Sequence, residues 1–130
     1  MGVLKSKDLI VCWGSVAQDA RSRVLPSGKN VTNFGIRYDY ETNSEGRNMG
    51  LFLNCDAWGD TARYCAGLER GDRILVCGKL IYDDYRSKKE NKEVYKINVE
   101  FVSVQPVAEE SYEDFGGFNT DDEDQTTSED

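Results

Sequence analysis

Phe52, Asn54, Asp56 and Trp58 stand at alternate positions of the run Leu51 to Trp58, and a strand sends every second side chain to one face. Leu51, Leu53, Cys55 and Ala57 form the complementary set, a core face. The first set mixes polar groups with two large aromatics, which a soluble protein rarely leaves in water unless they meet a partner. Flat π-surfaces on a polar strand face suit stacking against bases.

Other chemistry is poorly supplied. The chain has no histidine, so neither a Cys–His nor a Ser–His–Asp nucleophile can be assembled, although carboxylate or lysine chemistry is not excluded. Cys12, Cys55, Cys65 and Cys77 are too far apart for a Cys-x-x-Cys pair, and without histidine they read as buried thiols, with no metal or cofactor expected. No Gly-rich phosphate loop is present. An enzyme built on Asp83 and Asp84 is disfavoured because adjacent strand residues point to opposite faces. The expectation is a non-enzymatic protein.

Charge is uneven along the chain. The net charge is −8, yet all 16 Lys and Arg lie between Lys5 and Lys96. Residues 1–105 carry 14 acids, a balance of +2, and the other 10 acids follow without a single base. A near-neutral body thus precedes an acidic segment. From Pro106 onward Glu, Asp, Ser, Thr and Gly dominate, too little apolar surface to offset ordering entropy, so residues 106–130 read as a disordered tail and 1–105 as one domain. The longest uncharged apolar stretch, Leu9 to Ala17, falls far below the roughly 18 residues that cross a bilayer, and no signal peptide opens the chain. A soluble, cytoplasmic protein without membrane contact is expected.

The elements that must carry the aromatic face read as short strands. Leu9 to Ala17 is the first, with Gly14 as a bend or bulge; Pro26-Ser27-Gly28 turns into a second from Asn30 to Tyr40. A polar hairpin loop, Thr42 to Arg47, leads to the third, Met49 to Trp58. Asp60 or Thr61 could cap a helix from Ala62 to Leu68, and Gly71-Asp72 turns back into a fourth strand, Arg73 to about Tyr85, with Gly78 where a barrel wall would bend. After a polar loop, Ser87 to Lys92, a fifth strand alternates Tyr95, Ile97, Val99 and Phe101 against Lys96, Asn98 and Glu100. Five strands with one short helix between the third and fourth match the all-β OB-fold, a partly open Greek-key barrel. Tyr38 and Tyr40 share the parity of Phe34 and Ile36, so they either extend the core or reach a base, and Trp13 is expected in the core.

The motifs Gly14-Ser15-Val16-Ala17-Gln18-Asp19, Pro26-Ser27-Gly28-Lys29-Asn30-Val31-Thr32-Asn33-Phe34, Ala57-Trp58-Gly59 and Leu68-Glu69-Arg70-Gly71-Asp72-Arg73-Ile74-Leu75-Val76-Cys77-Gly78 stand in one order. In that order and spacing, from about Asp8 to Val104, the chain resembles the bacterial single-stranded DNA-binding protein family. The resemblance implies an OB-fold that assembles as a homo-oligomer, usually a tetramer, and wraps single-stranded DNA in replication, recombination or repair. By position it implies that Phe52, Trp58 and Tyr85 stack bases. It also implies docking on replication and repair proteins through an apolar tail tip, whereas this sequence ends Thr126-Thr127-Ser128-Glu129-Asp130, so docking of that kind is not expected.

Backbone phosphates call for cations. The candidates are Arg37 on the second strand, Arg73 and Lys79 on the non-core face of the fourth, and Arg86, Lys88 and Lys89 in the loop that follows. Asp83 and Asp84 sit just before Tyr85, where a DNA-facing surface would prefer bases. Together with the near-neutral body they support an alternative, an OB-fold protein-interaction module that has lost DNA binding. The acidic tail reads as a spacer, a docking segment or an internal competitor for the basic groove.

Overall fold

In the computed structural model, which describes residues 1–105, five strands close on themselves. They are β2 (Leu9–Val16), β4 (Asn30–Thr42), β5 (Asn48–Trp58), β6 (Arg73–Tyr82) and β7 (Tyr95–Val104). Their order is β2-β6-β7-β5-β4, and pairing of Ser15 and Val16 with Arg37 and Ile36 shuts the barrel. This is the OB-fold. Two short strands extend its edges, β1 (Gly2–Ser6) beside β2 and β3 (Arg21–Val24) beside β4. The expected disordered tail, 106–130, lies outside the described residues.

The core follows the alternation. Ile10, Cys12, Ile36, Cys55, Ala57, Ile74, Val76 and Ile97 all face inward and are buried. Each fully buried isoleucine contributes roughly 1.5–3 kcal/mol. Closure demands two close backbone crossings. A Cβ on Gly14 would stand 1.9 Å from the Arg37 carbonyl oxygen, and one on Gly78 would stand 2.2 Å from that of Asn98. Gly78 falls at a register shift against β7, whereas the β2–β6 ladder runs through Gly14 without a bulge, just before β2 meets β4.

Five expectations are corrected, the last two where the fourth strand ends. Trp13 is only half-buried on the outer face of β2, outside the core cluster, because the unforeseen β1 places Gly2 opposite it and the indole ring lies over that glycine. Phe101 points outward: the irregularity at Cys77/Gly78 leaves Glu100 without a partner in the ladder, so Val102 takes the core position instead. The first helix, α1 (Gly59–Cys65), starts three residues early and has no side-chain cap; Gly59, at φ +62°, turns β5 directly into it.

The fourth strand stops at Tyr82, and the expected loop is a second helix, α2 (Asp84–Glu90). Asp83 is its N-cap, its carboxylate accepting the Arg86 backbone N–H at 3.0 Å, and Asn91 in the left-handed region closes it. The Ser87 hydroxyl accepts the Val94 backbone N–H at 2.8 Å and ties α2 to the start of β7. Tyr85, Arg86, Lys88 and Lys89 are therefore helical.

Candidate nucleic-acid interface

The outer face of β5 is built as the alternation requires. Phe52 is 53% and Trp58 41% exposed, while Cys55 and Ala57 between them are fully buried. Arg37 on β4 stands opposite Phe52, and both side chains lean over Gly50. A bulge at Tyr38 shifts the β4–β5 register, so Tyr40 leaves the core parity of Phe34 and Ile36 and joins Arg37 outside. The Arg37 guanidinium carbon sits 5.1 Å from the Tyr40 ring centroid, a cation–π geometry. Its Nε is buried without a hydrogen-bond partner among the described residues. Tyr38 itself packs against the core, and burial raises its phenol pKa.

Two adjoining hollows make a solvent-open groove along this face. One, about 550 Å³, runs from Phe52 and Asn54 past Asn33 and Asp56 to Arg21. The other, about 360 Å³, runs from Phe52 and Asn54 toward Tyr95 and Lys92. Arg86 lines both. The floor carries a polar network: Asn33 Nδ2 donates to Asp56 Oδ1 at 2.6 Å, and Lys96 Nζ lies 2.8 Å from Asp56 Oδ2. The hydrogen bond to Asp56 raises the Lys96 pKa, against the lowering effect of burial. Lys96 is thus neutralised by Asp56.

The structure gathers some of the candidate residues and separates others. Phe52, Trp58 and Arg37 share the β4–β5 face. Arg86 reaches the groove but pairs with Glu90 on the next turn of α2. Tyr85 is 73% exposed on α2, with Lys89 Nζ 5.9 Å from its ring centroid, and Lys88 is exposed on the same helix. Arg73 and Lys79 face outward from β6, two strands away from β5 in the sheet order. Neither lines the groove.

Sequence reasoning missed Tyr95 and Arg21, which the structure puts at the groove. Tyr95 has core parity, but it sits beyond the barrel end, exposed and edge-on to Tyr82 at 5.6 Å between centroids. Arg21 belongs to the short β3, for which Arg21-Ser22-Arg23, polar at every position, gives no hydrophobic signal. Asp83, counted from sequence as a charge facing DNA, is buried with its carboxylate engaged by α2.

All four cysteines are free thiols. Burial pushes the Cys12 pKa up to about 12 and Cys65 up to about 11, and lifts Cys55 well above the ordinary range. Among the described residues there is no cluster able to hold a metal ion, and no helix is long and apolar enough to cross a membrane.

An OB barrel with an open, aromatic-flanked groove over two of its strands defines a class of ligand-binding barrels. Within that class the profile of the single-strand binding protein family matches residues 8–107, and the chain belongs to this family. The chain is 33% identical over 96 residues to the single-stranded DNA-binding protein of Malacoplasma penetrans, covering 73% of this chain and 49% of that protein. It is 31% identical over 100 residues to that of Paenarthrobacter aurescens, covering 72% and 58%. The chain thus spans about half the length of these relatives. Among solved structures, the wild-type single-stranded DNA binding protein from Thermus aquaticus superposes with a TM-score of 0.59 at 20% identity, over 80% of this chain and 44% of that one. At that identity the likeness concerns the fold.

Proposed function

We propose that this protein binds single-stranded DNA without sequence preference and coats exposed strands during replication, recombination or repair, as a binder rather than an enzyme. The observation that carries the reading is the exposure of Phe52 and Trp58 on a polar strand face that the barrel leaves open. Each stacked base contributes roughly 1–3 kcal/mol and any base can stack, so two or three aromatics supply affinity without reading sequence. Arg37 beside Phe52 adds a phosphate contact. Tyr85, Arg86, Lys88 and Lys89 on α2 flank the groove, and Lys79 and Arg73 engage only a strand that wraps past β7. The family membership and the names of the relatives support the ligand.

The same reading makes the protein a homo-oligomer, a dimer or tetramer, in the cytoplasm near the nucleoid. Leu4, Leu9 and Phe101 are more than half exposed on the outer face that β1, β2, β6 and β7 share, where Lys79 stands opposite Leu9, so a second copy seated there leaves Lys79 to DNA only at its rim. Burial of that face against a second copy removes apolar surface from water. Replication and repair proteins are the further partners in this reading, met through contacts other than an apolar tail tip.

The test is the double variant Phe52→Ala/Trp58→Ala. It retains the wild-type circular-dichroism spectrum and loses most of its affinity for a labelled oligo-dT strand. Full retention of that affinity overturns the assignment of the face.

A further inference from the structure

We infer that β3 is a cationic rail for the phosphate backbone of the bound strand, with Arg21 and Arg23 as its two contacts; the inference rests on the single-strand reading above and extends it to an edge that no residue there assigned. The ladders fix where these arginines stand. Arg21 pairs with Asn33, which pairs with Asp56; Arg23 pairs with Val31, which pairs with Trp58. Each arginine therefore lies two strands from the aromatic face, about 10 Å at the usual strand spacing.

Ser22 settles which way they point. Its hydroxyl shares a 2.7 Å hydrogen bond with Thr32 Oγ1, which donates at 2.7 Å to the Ala62 carbonyl of α1. Thr32 is buried. Ser22 thus turns toward α1, and by alternation Arg21 and Arg23 turn to the opposite side, that of Asn33, Asp56 and Trp58. Both are exposed; Arg21 lines the groove, whereas Arg23, at the outer end of β3, borders a separate hollow with Ala62 and Arg63 of α1 and reaches the strand only from that rim.

Charge at the groove favours them. Arg86 is paired with Glu90 and Lys96 with Asp56, whereas among the described residues Arg21 and Arg23 form no ion pair. Of the carboxylates that line the same hollow as Arg21, Asp19 accepts the Arg70 backbone N–H at 2.9 Å, Asp56 holds Lys96, and Asp83 caps α2. A base stacked on Trp58 brings its phosphate over β4 toward an edge that offers two unengaged guanidinium groups, the side chains best suited to bidentate phosphate contact. Short edge strands also carry charges merely to prevent edge-to-edge pairing. That role makes a different prediction.

The experiment measures oligo-dT binding by fluorescence anisotropy over a salt series for wild type, Arg21→Gln/Arg23→Gln, Arg21→Lys/Arg23→Lys, and Lys5→Gln/Lys7→Gln, which removes two charges from β1 and its turn. The rail predicts that the arginine-to-glutamine variant binds about tenfold more weakly at low salt, with a slope of log K against log salt shallower by about 1.4, two single-strand phosphates' worth. The lysine variant restores most of that slope, and the β1 variant keeps the wild-type slope. An unchanged slope in the glutamine variant, with or without new self-association, overturns the rail, as does an equal loss in the β1 variant. Failure of the wild-type protein itself to bind brings down the parent reading and the rail together, and so is distinguishable from failure of the rail alone.

Discussion

Arg37 and Phe52 face each other across the β4–β5 ladder with Gly50 beneath both: a Cβ there would stand 2.7 Å from Phe52 Cζ and 3.0 Å from Arg37 Cδ. Both atoms are at or near the ends of flexible side chains, so Gly50→Ala displaces the ring and the guanidinium rather than the backbone. Loss of about 1 kcal/mol of the stacking and phosphate contacts, roughly fivefold in oligo-dT affinity, is expected, with the melting temperature within about 4 °C of wild type. Anisotropy titration and thermal melts check the two halves separately. Equal affinity in the variant means the arrangement over Gly50 is incidental to binding.

Asp56→Asn acts in opposite directions on stability and on binding. It breaks a partly buried ion pair and costs about 1 kcal/mol of stability. Because the folded-state pKa of Lys96 is raised, the pair's contribution is whole below the ordinary lysine value of 10.5 and is lost as pH rises through the higher folded value. The gap in melting temperature between wild type and variant is therefore constant through neutral pH and narrows only above about pH 10.5. The same substitution frees a cation on the groove floor, so the salt slope of oligo-dT binding steepens by up to about 0.7. A slope that stays at the wild-type value places Lys96 off the strand's path.

The buried thiols predict an alkaline limit. Their folded-state values are raised from 9.0, to about 12 for Cys12 and about 11 for Cys65. Stability from keeping them neutral is complete below pH 9 and declines above it, where the unfolded chain ionises its thiols and the folded chain does not. Thermal melts between pH 8 and pH 11 show the decline, and Cys12→Ala shallows it. With Ellman's reagent at neutral pH, only the half-buried Cys77 reacts quickly in the native protein, and all four react in denaturant. Rapid labelling of a second thiol in the native protein contradicts this placement.

What the sequence made legible was set by how sharply polar and apolar positions contrast. Leu51 to Trp58 alternates without interruption, and its two faces came out as read. Gly14 and Gly78 were legible because only a missing side chain lets two strands cross so closely. Tyr40 and Phe101 were not: each follows a register shift, at Tyr38 and at Glu100, and an inserted residue that reverses parity has no side-chain signature of its own. The helix α2 was hidden because Asp83 and Asp84 were weighed as charges against DNA, although an aspartate followed three residues later by the N–H it accepts is equally a helix start. Arg21 and Arg23 lay on a four-residue edge strand whose stability comes from pairing with β4, not from an apolar face.

The most direct test of the DNA-binding face is a fluorescence titration of Trp13→Phe, which leaves Trp58 as the single tryptophan, with an oligo-dT strand and with a duplex of equal length. Binding of single-stranded DNA over β5 predicts quenching by the single strand at low salt, weakening as salt rises, and little response to the duplex. Silence toward both at low salt, with no anisotropy change of a labelled strand, contradicts it.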